Sequence, residues 1–232
     1  MQFRRTFLIL IGLSVLCVSA IGAGDSASFV NLGFSPDGSI YMFAQYGVKS
    51  GVLRPWADIY VVDVAKNDFV SGGRISHTYD RPIDAGQDGM GMLYSLIAEN
   101  AGLARRYGVN FPNQGQPLYI ALDGDPAYAG EPIQFRDFVS GISYQASVIE
   151  SVNGSGKDLR SSFYIRLEYL DEGVEKVFVI GSPEIKRPLV SSYRIKKVLI
   201  DPSGSSLVFV IEMKRHAEDG YDIRYMVEVL RL

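Results

Sequence analysis

LGFSPDGSIYMFAQYG, residues 32–47, and VLIDPSGSSLVFVIEM, residues 198–213, repeat one pattern at the two ends of the chain. Pro36 aligns with Pro202, Gly38 with Gly204 and Phe43 with Phe209. A second apolar run follows each copy, at residues 57–64 and 221–229, where Asp58-Ile59 matches Asp222-Ile223. Each copy opens on a tight turn, in which proline presets φ at the second position and glycine accepts a final positive φ. The runs that leave the turns are rich in β-branched and aromatic residues, as strands are. The pattern predicts a hairpin with one preceding strand at each end, over about 29–64 and 194–230.

Working inward, residues 144–151, 162–170 and 174–180 read as three antiparallel strands joined by Gly-rich turns. Phe163, Ile165 and Leu167 alternate with Tyr164, Arg166 and Glu168, which predicts one buried and one wet face. Residues 118–122 form a further short strand within a Gly/Pro-rich connection. Leu93, Leu96, Ile97, Ala101, Ala104 and Tyr107 follow the spacing of one apolar helix face. One amphipathic helix is therefore expected near 90–107, started at Asp88 or nearby and stopped at Gly108. The expected fold is mainly β, with antiparallel sheets and blade-like hairpin units at both ends. Two copies fall short of the 4–8 blades of typical propellers, so a β-sandwich and a small or broken propeller both remain open.

At the start, Arg4 and Arg5 precede an uncharged apolar run over residues 7–20, and small residues follow. This is the layout of a secretory signal peptide, with cleavage expected after Ala20 or Ala23. The run is short of the roughly 20 residues that span a bilayer. Cys17 lies inside the run and follows Leu16, which fits a lipid-attachment box poorly. Removing residues 1–23 takes two arginines and no acid from a chain of net charge −3, leaving −3 − 2 = −5. It also removes the single cysteine, and with it disulfides, thiolate catalysis and cysteine–metal ligation. The remainder, 24–232, is expected to be one mainly-β domain without a membrane span, exported to the periplasm or beyond. With 23 Lys+Arg against 26 Asp+Glu, nucleic acid is not an expected partner.

The two end segments resemble the WD40-like repeats of TolB-type β-propellers, whose blades read roughly FSPDG…F and then DIYVVD. The chain as a whole resembles a bacterial family of predicted secreted proteins, domain of unknown function 2259. That likeness rests on the signal peptide, the opening at residues 34–47 and DIYVVDVAKNDFV at 58–70. It implies export and brings no mechanism.

Candidate chemistry is sparse. Asp80, Asp84 and Asp88, interleaved with Gly86 and Gly89, could offer oxygen to calcium, although the spacing does not follow an EF-hand. Acids are also favoured where a loop leads into a helix. His77 and His216 are the only histidines, and His216 sits in a charged stretch expected to be a solvent-facing loop. No G-x-S-x-G elbow, P-loop or G-x-G-x-x-G fingerprint occurs, and no cofactor is implied. Trp56, expected in a hairpin loop beside Pro55, together with Tyr46 and Tyr79, could stack on a glycan or anchor a protein. The leading expectation is a non-catalytic binding or scaffold module of the cell envelope, with an envelope protein or glycan as partner. The alternatives are a carboxylate-dependent hydrolase of envelope glycans, drawing on Asp80, Asp84, Asp88, Asp123 and Asp125, and a structural subunit that offers a strand edge to a partner sheet.

Overall fold

The computed structural model describes residues 24–122, 131–171, 173–218 and 220–232. The expected signal peptide, Cys17, Asp123 and Asp125 lie outside them.

Four strands, β1 (Ser28–Phe34), β2 (Ile40–Lys49), β3 (Arg54–Asp63) and β4 (Asp68–Thr78), form an antiparallel meander, the first sheet. Two short helices follow, α1 (Met90–Glu99) and α2 (Ala101–Arg106). The next strand, β5 (Gln116–Ile120), joins the edge of a later sheet. A middle sheet is built from β6 (Ile133–Arg136), β7 (Ser143–Asn153), β8 (Arg160–Asp171) and β9 (Val174–Ile180). The two-residue β10 (Arg187–Pro188) pairs with the start of β8. The last sheet runs β13-β12-β11-β5, with β11 at Val190–Ile200, β12 at Ser206–Ala217 and β13 at Gly220–Arg231. The mainly-β expectation therefore holds, as three antiparallel sheets.

The sheets stack because β12 is apolar on both faces. Leu207 to Ile211 are all fully buried, and continuous apolar runs of this kind mark strands covered on two sides. Leu207, Phe209 and Ile211 face the middle sheet, packing with Phe135, Phe163 and Ile165. Val208 and Val210 face the first sheet, packing with Phe34, Tyr41 and Phe43. On its other face the first sheet presents Met42, Ala44, Ile59 and Val61 to Leu93, Leu96 and Ala104 of the helices. The order of layers is helices, first sheet, last sheet, middle sheet.

The two repeated turns have the same hydrogen-bond frame. Ser35 N–H donates to Ile40 O at 2.9 Å and Gly38 N–H to Ser35 O at 3.0 Å. In the second copy Asp201 N–H donates to Ser206 O and Gly204 N–H to Asp201 O, both at 2.9 Å. Gly38 (φ 69°) lies so close to Asp201 that a Cβ there would collide with the carboxylate. The two copies thus meet turn against turn.

The helix departs from expectation by a break. Asn100 Nδ2 donates to Leu96 O at 2.8 Å, and its backbone leaves the helical region (φ −110°, ψ 22°). Its own N–H keeps the ladder bond to Leu96 O at 3.1 Å, so this carbonyl takes two donors from Asn100 at the point where the one expected helix becomes two. The start matches: Asp88 Oδ1 accepts from Met90 N–H at 2.9 Å. Gly108 (φ 65°) closes the end, donating to Arg105 O. The central strands fall where expected, and β8 alternates buried with wetter positions. Missed were β4, β6 and β10, and the expected short strand near 118 joins the edge of the last sheet beside β11.

Candidate functional site

A groove of about 810 Å³ opens where all three sheets converge. Its floor is the free edge of β13 from Arg224 to Glu228. One wall is the inner face of β3 and β4, with Tyr60, Val62, Phe69 and Arg74; the other is the 181–190 segment that leads from β9 to β11.

The first wall is an aromatic ladder built by register. Phe43 lies directly across from Tyr60, and their rings stack at 4.8 Å. Tyr60 lies across from Arg74 and meets the Phe69 ring at 5.6 Å. The Arg74 guanidinium sits 4.7 Å above Phe69, a cation–π contact. Tyr60 Oη donates to Asp58 Oδ2 at 3.1 Å. Burial, reinforced by the Asp58 carboxylate, pushes the Tyr60 phenol up to about 12, so it remains a neutral donor.

The floor is guarded. In an open strand edge every second backbone N–H is a bare donor. Here Gln45 Oε1 accepts from Tyr225 N–H at 2.8 Å, and Asn67 Oδ1 accepts from Val229 N–H at 2.7 Å. Farther along, Ile223 N–H donates to Asp25 O at 2.8 Å. Side-chain amides and the first described residues thus stand in for a neighbouring strand.

Glu228, 5% exposed, closes one end. It accepts from Asn67 Nδ2 at 2.5 Å and pairs with Arg187 at 3.6 Å. Burial raises its pKa, and the Asn67 bond and Arg187 charge oppose that rise without cancelling it. A carboxyl held by partners from β10 and the β3–β4 turn ties the three sheets together.

The residues singled out from sequence fall mostly elsewhere. Trp56 is in β3, not in a loop, and is 5% exposed. Arg224 lies 4.3 Å over its ring, and the Arg224 guanidinium pairs with Asp25 and Asp222. Pro55, Trp56 and Ala57 are buried in succession, so Trp56 owes its burial to what covers it, the side-chain-free berth at Gly47 across the pair and the Arg224 guanidinium. Tyr46 is also core, against the helices. Tyr79 donates to Met92 O at 3.1 Å and meets His77 edge-on at 4.3 Å. His216 lies within β12, which continues to Ala217 through the stretch expected to be loop from Lys214, and its ring rests 4.6 Å from Tyr221. Asp80, Asp84 and Asp88 are all exposed. Asp84 N–H and O both engage Gln87, Asp88 accepts from the Met90 N–H just ahead of α1, and no three metal-ligating side chains gather among the described residues. Of the groove, Phe43 and Asp58 stood out in the sequence, as positions of the repeat. Phe69 and Arg74 went unseen because Gly72-Gly73 hid β4; Arg187, Arg215 and Glu228 carry no local signal.

The architecture defines a β-sheet stack with a groove between its sheets, and no helix among the described residues is long and apolar enough to cross a membrane. Residues 42–231 match the family described as predicted secreted protein (DUF2259). The match covers most of the chain, which belongs to that family. No curated protein and no solved structure matches it.

Proposed function

We propose that this chain is a non-catalytic binding or scaffold module of the bacterial cell envelope, acting in the periplasm or outside the cell, with the inter-sheet groove as its ligand site. The observation that carries the reading is that the three sheets converge on a groove of about 810 Å³, the size and setting of ligand sites. In this reading residues 24–232 act as one domain and need no cofactor. The matched turn-and-hairpin units support a scaffold role of the kind TolB-type blades serve.

The test uses the absence of cysteine after Cys17. Ser182 lines the groove and Ser95 lies exposed on α1. A photo-crosslinker on S182C should capture defined envelope material that the same group on S95C does not. Equal capture at both positions, or none at S182C, refutes the groove as the site.

A second reading, hydrolysis of an envelope glycan by paired carboxylates, rests on Asp58 and Glu228 sharing the groove. Turnover of peptidoglycan fragments that disappears in a folded E228Q variant would establish it.

A further inference from the structure

The chemistry of the groove selects among ligands, and this step rests on the groove being the binding site. Five cations line it, Lys66, Arg74, Arg187, Arg215 and Arg224, against three acids, Asp58, Asp68 and Glu228, on a chain whose net charge is −3. Three of the cations are already paired: Lys66 with Asp63, Arg187 with Glu228, and Arg224 with Asp25 and Asp222. Arg74 and Arg215 have no ion pair among the described residues, and both are exposed. They come from opposite sides of the groove, Arg74 from the β4 wall and Arg215 from β12. A guanidinium without a carboxylate partner presents a planar fork of donors that matches a carboxylate two bonds at a time, and Arg74 can do so while resting on the Phe69 ring.

The same groove is lined by Tyr60 and Phe69 from the first sheet and by the flexible thioethers of Met213 and Met226 from the last. Such surfaces suit ring faces, because aromatic bodies pack apolar ring surfaces and methionine adapts to irregular shapes. A peptide adding as a strand is disfavoured, since it would have to displace Gln45 and Asn67 from the β13 edge. We propose that the groove binds an acidic glycan, a chain of sugar rings bearing carboxylates, with Arg74 and Arg215 as the residues that recognise the carboxylates.

The experiment is calorimetric titration of the exported full-length gene product with three probes. These are an oligogalacturonate of about ten units, the same oligomer fully methyl-esterified, and a hexaglutamate peptide. The acid oligomer should bind and the ester should bind at least tenfold more weakly, with loss of about one carboxylate–arginine contact per arginine removed. R74Q and R215Q should each weaken the acid by about tenfold and leave the ester unchanged, while R105Q on α2 changes neither. Both variants replace exposed side chains, so circular dichroism should show the fold intact. Equal binding of acid and ester, with S182C still capturing ligand, overturns the acidic-glycan proposal and keeps the groove. Preference for hexaglutamate, or no binding of the acid oligomer, overturns the proposal as well. Acid binding that is indifferent to both arginines and is not blocked by a crosslinker at S182C overturns the proposal and the groove together.

Discussion

Truncating β12 on alternate faces tests the three-sheet stack directly. Phe209 and Val210 are neighbours, both fully buried, but Phe209 packs toward the middle sheet and Val210 toward the first. A buried phenylalanine removes about 200 Å² from water, worth about 5 kcal/mol at roughly 25 cal/mol per Å². Alanine keeps a fraction of that and leaves a cavity, so F209A should cost about 3–5 kcal/mol. The cavity would also strip Phe135 of an edge contact at 6.5 Å. V210A removes two methyl-sized groups, about 2 kcal/mol at roughly 0.8 kcal/mol each plus the cavity. Urea unfolding gives both values from the midpoint shift at constant slope. In a two-layer sandwich one of these faces would be wet, and its substitution would fall within about 0.5 kcal/mol of neutral. If either variant costs less than about 1 kcal/mol, the stack is wrong.

Asn67→Ala should cost about 2–4 kcal/mol, because it uncaps buried Val229 N–H and takes a partner from buried Glu228; size-exclusion chromatography should then show self-association through the exposed β13 edge, and a monomer of unchanged stability would contradict the capping role. For Glu228, burial raises the folded pKa, so its favourable contribution is complete below the ordinary glutamate range of about 4.3 and is lost as pH rises through the raised value. E228Q should therefore show a flatter melting profile between pH 4 and 8 than the parent chain, whereas parallel profiles would refute a buried titrating carboxyl. Asp201, 2% exposed, accepts from Ser205 N–H at 2.7 Å and Ser206 N–H at 2.6 Å; D201A should cost about 3 kcal/mol through lost charge-assisted bonds. Asp37, the exposed acid of the first turn, stands where the second has Ser203 and should matter much less in D37A; equal losses in a thermal melt would show that burial does not separate the two carboxylates.

The strands of the repeat were legible because turn chemistry and strand composition are local. Pro36 and Gly38, or Pro202 and Gly204, can be read with no knowledge of what they touch. The central meander was legible for the same reason, through the alternation around Phe163 to Glu168. β4 was not, since a pair of glycines inside a run normally signals a break. Here Gly73 is required by packing: a Cβ there would press on Val61 O and Val70. Trp56 shows the opposite failure. A tryptophan beside proline looks like a loop anchor until register places it opposite Gly47, where absence of a side chain makes its berth.

The groove was illegible for a deeper reason. Periodicity reports that a strand has two faces but is silent on what meets each of them. Glu228 alternates with Val227 and Val229 and so reads as a wet position of an edge strand. It is buried only because Asn67, 161 residues earlier, and Arg187 converge on it. Yet the repeat does constrain where a groove can form. With the two turns in contact at Gly38 and Asp201, β2 and β12 leave the seam together and their sheets stay face to face along it. β12 is covered on both sides, but β13 lies one strand farther out, beyond the partner sheet's centre, and its edge is left between the β3–β4 hairpin and the 181–190 segment. A site at that edge follows from stacking two four-stranded units by their turns. Part of its lining, Phe43, Val62 and Val227, also belongs to the apolar cluster that holds the stack, whereas Arg74 and Arg215 are exposed and lie outside those clusters.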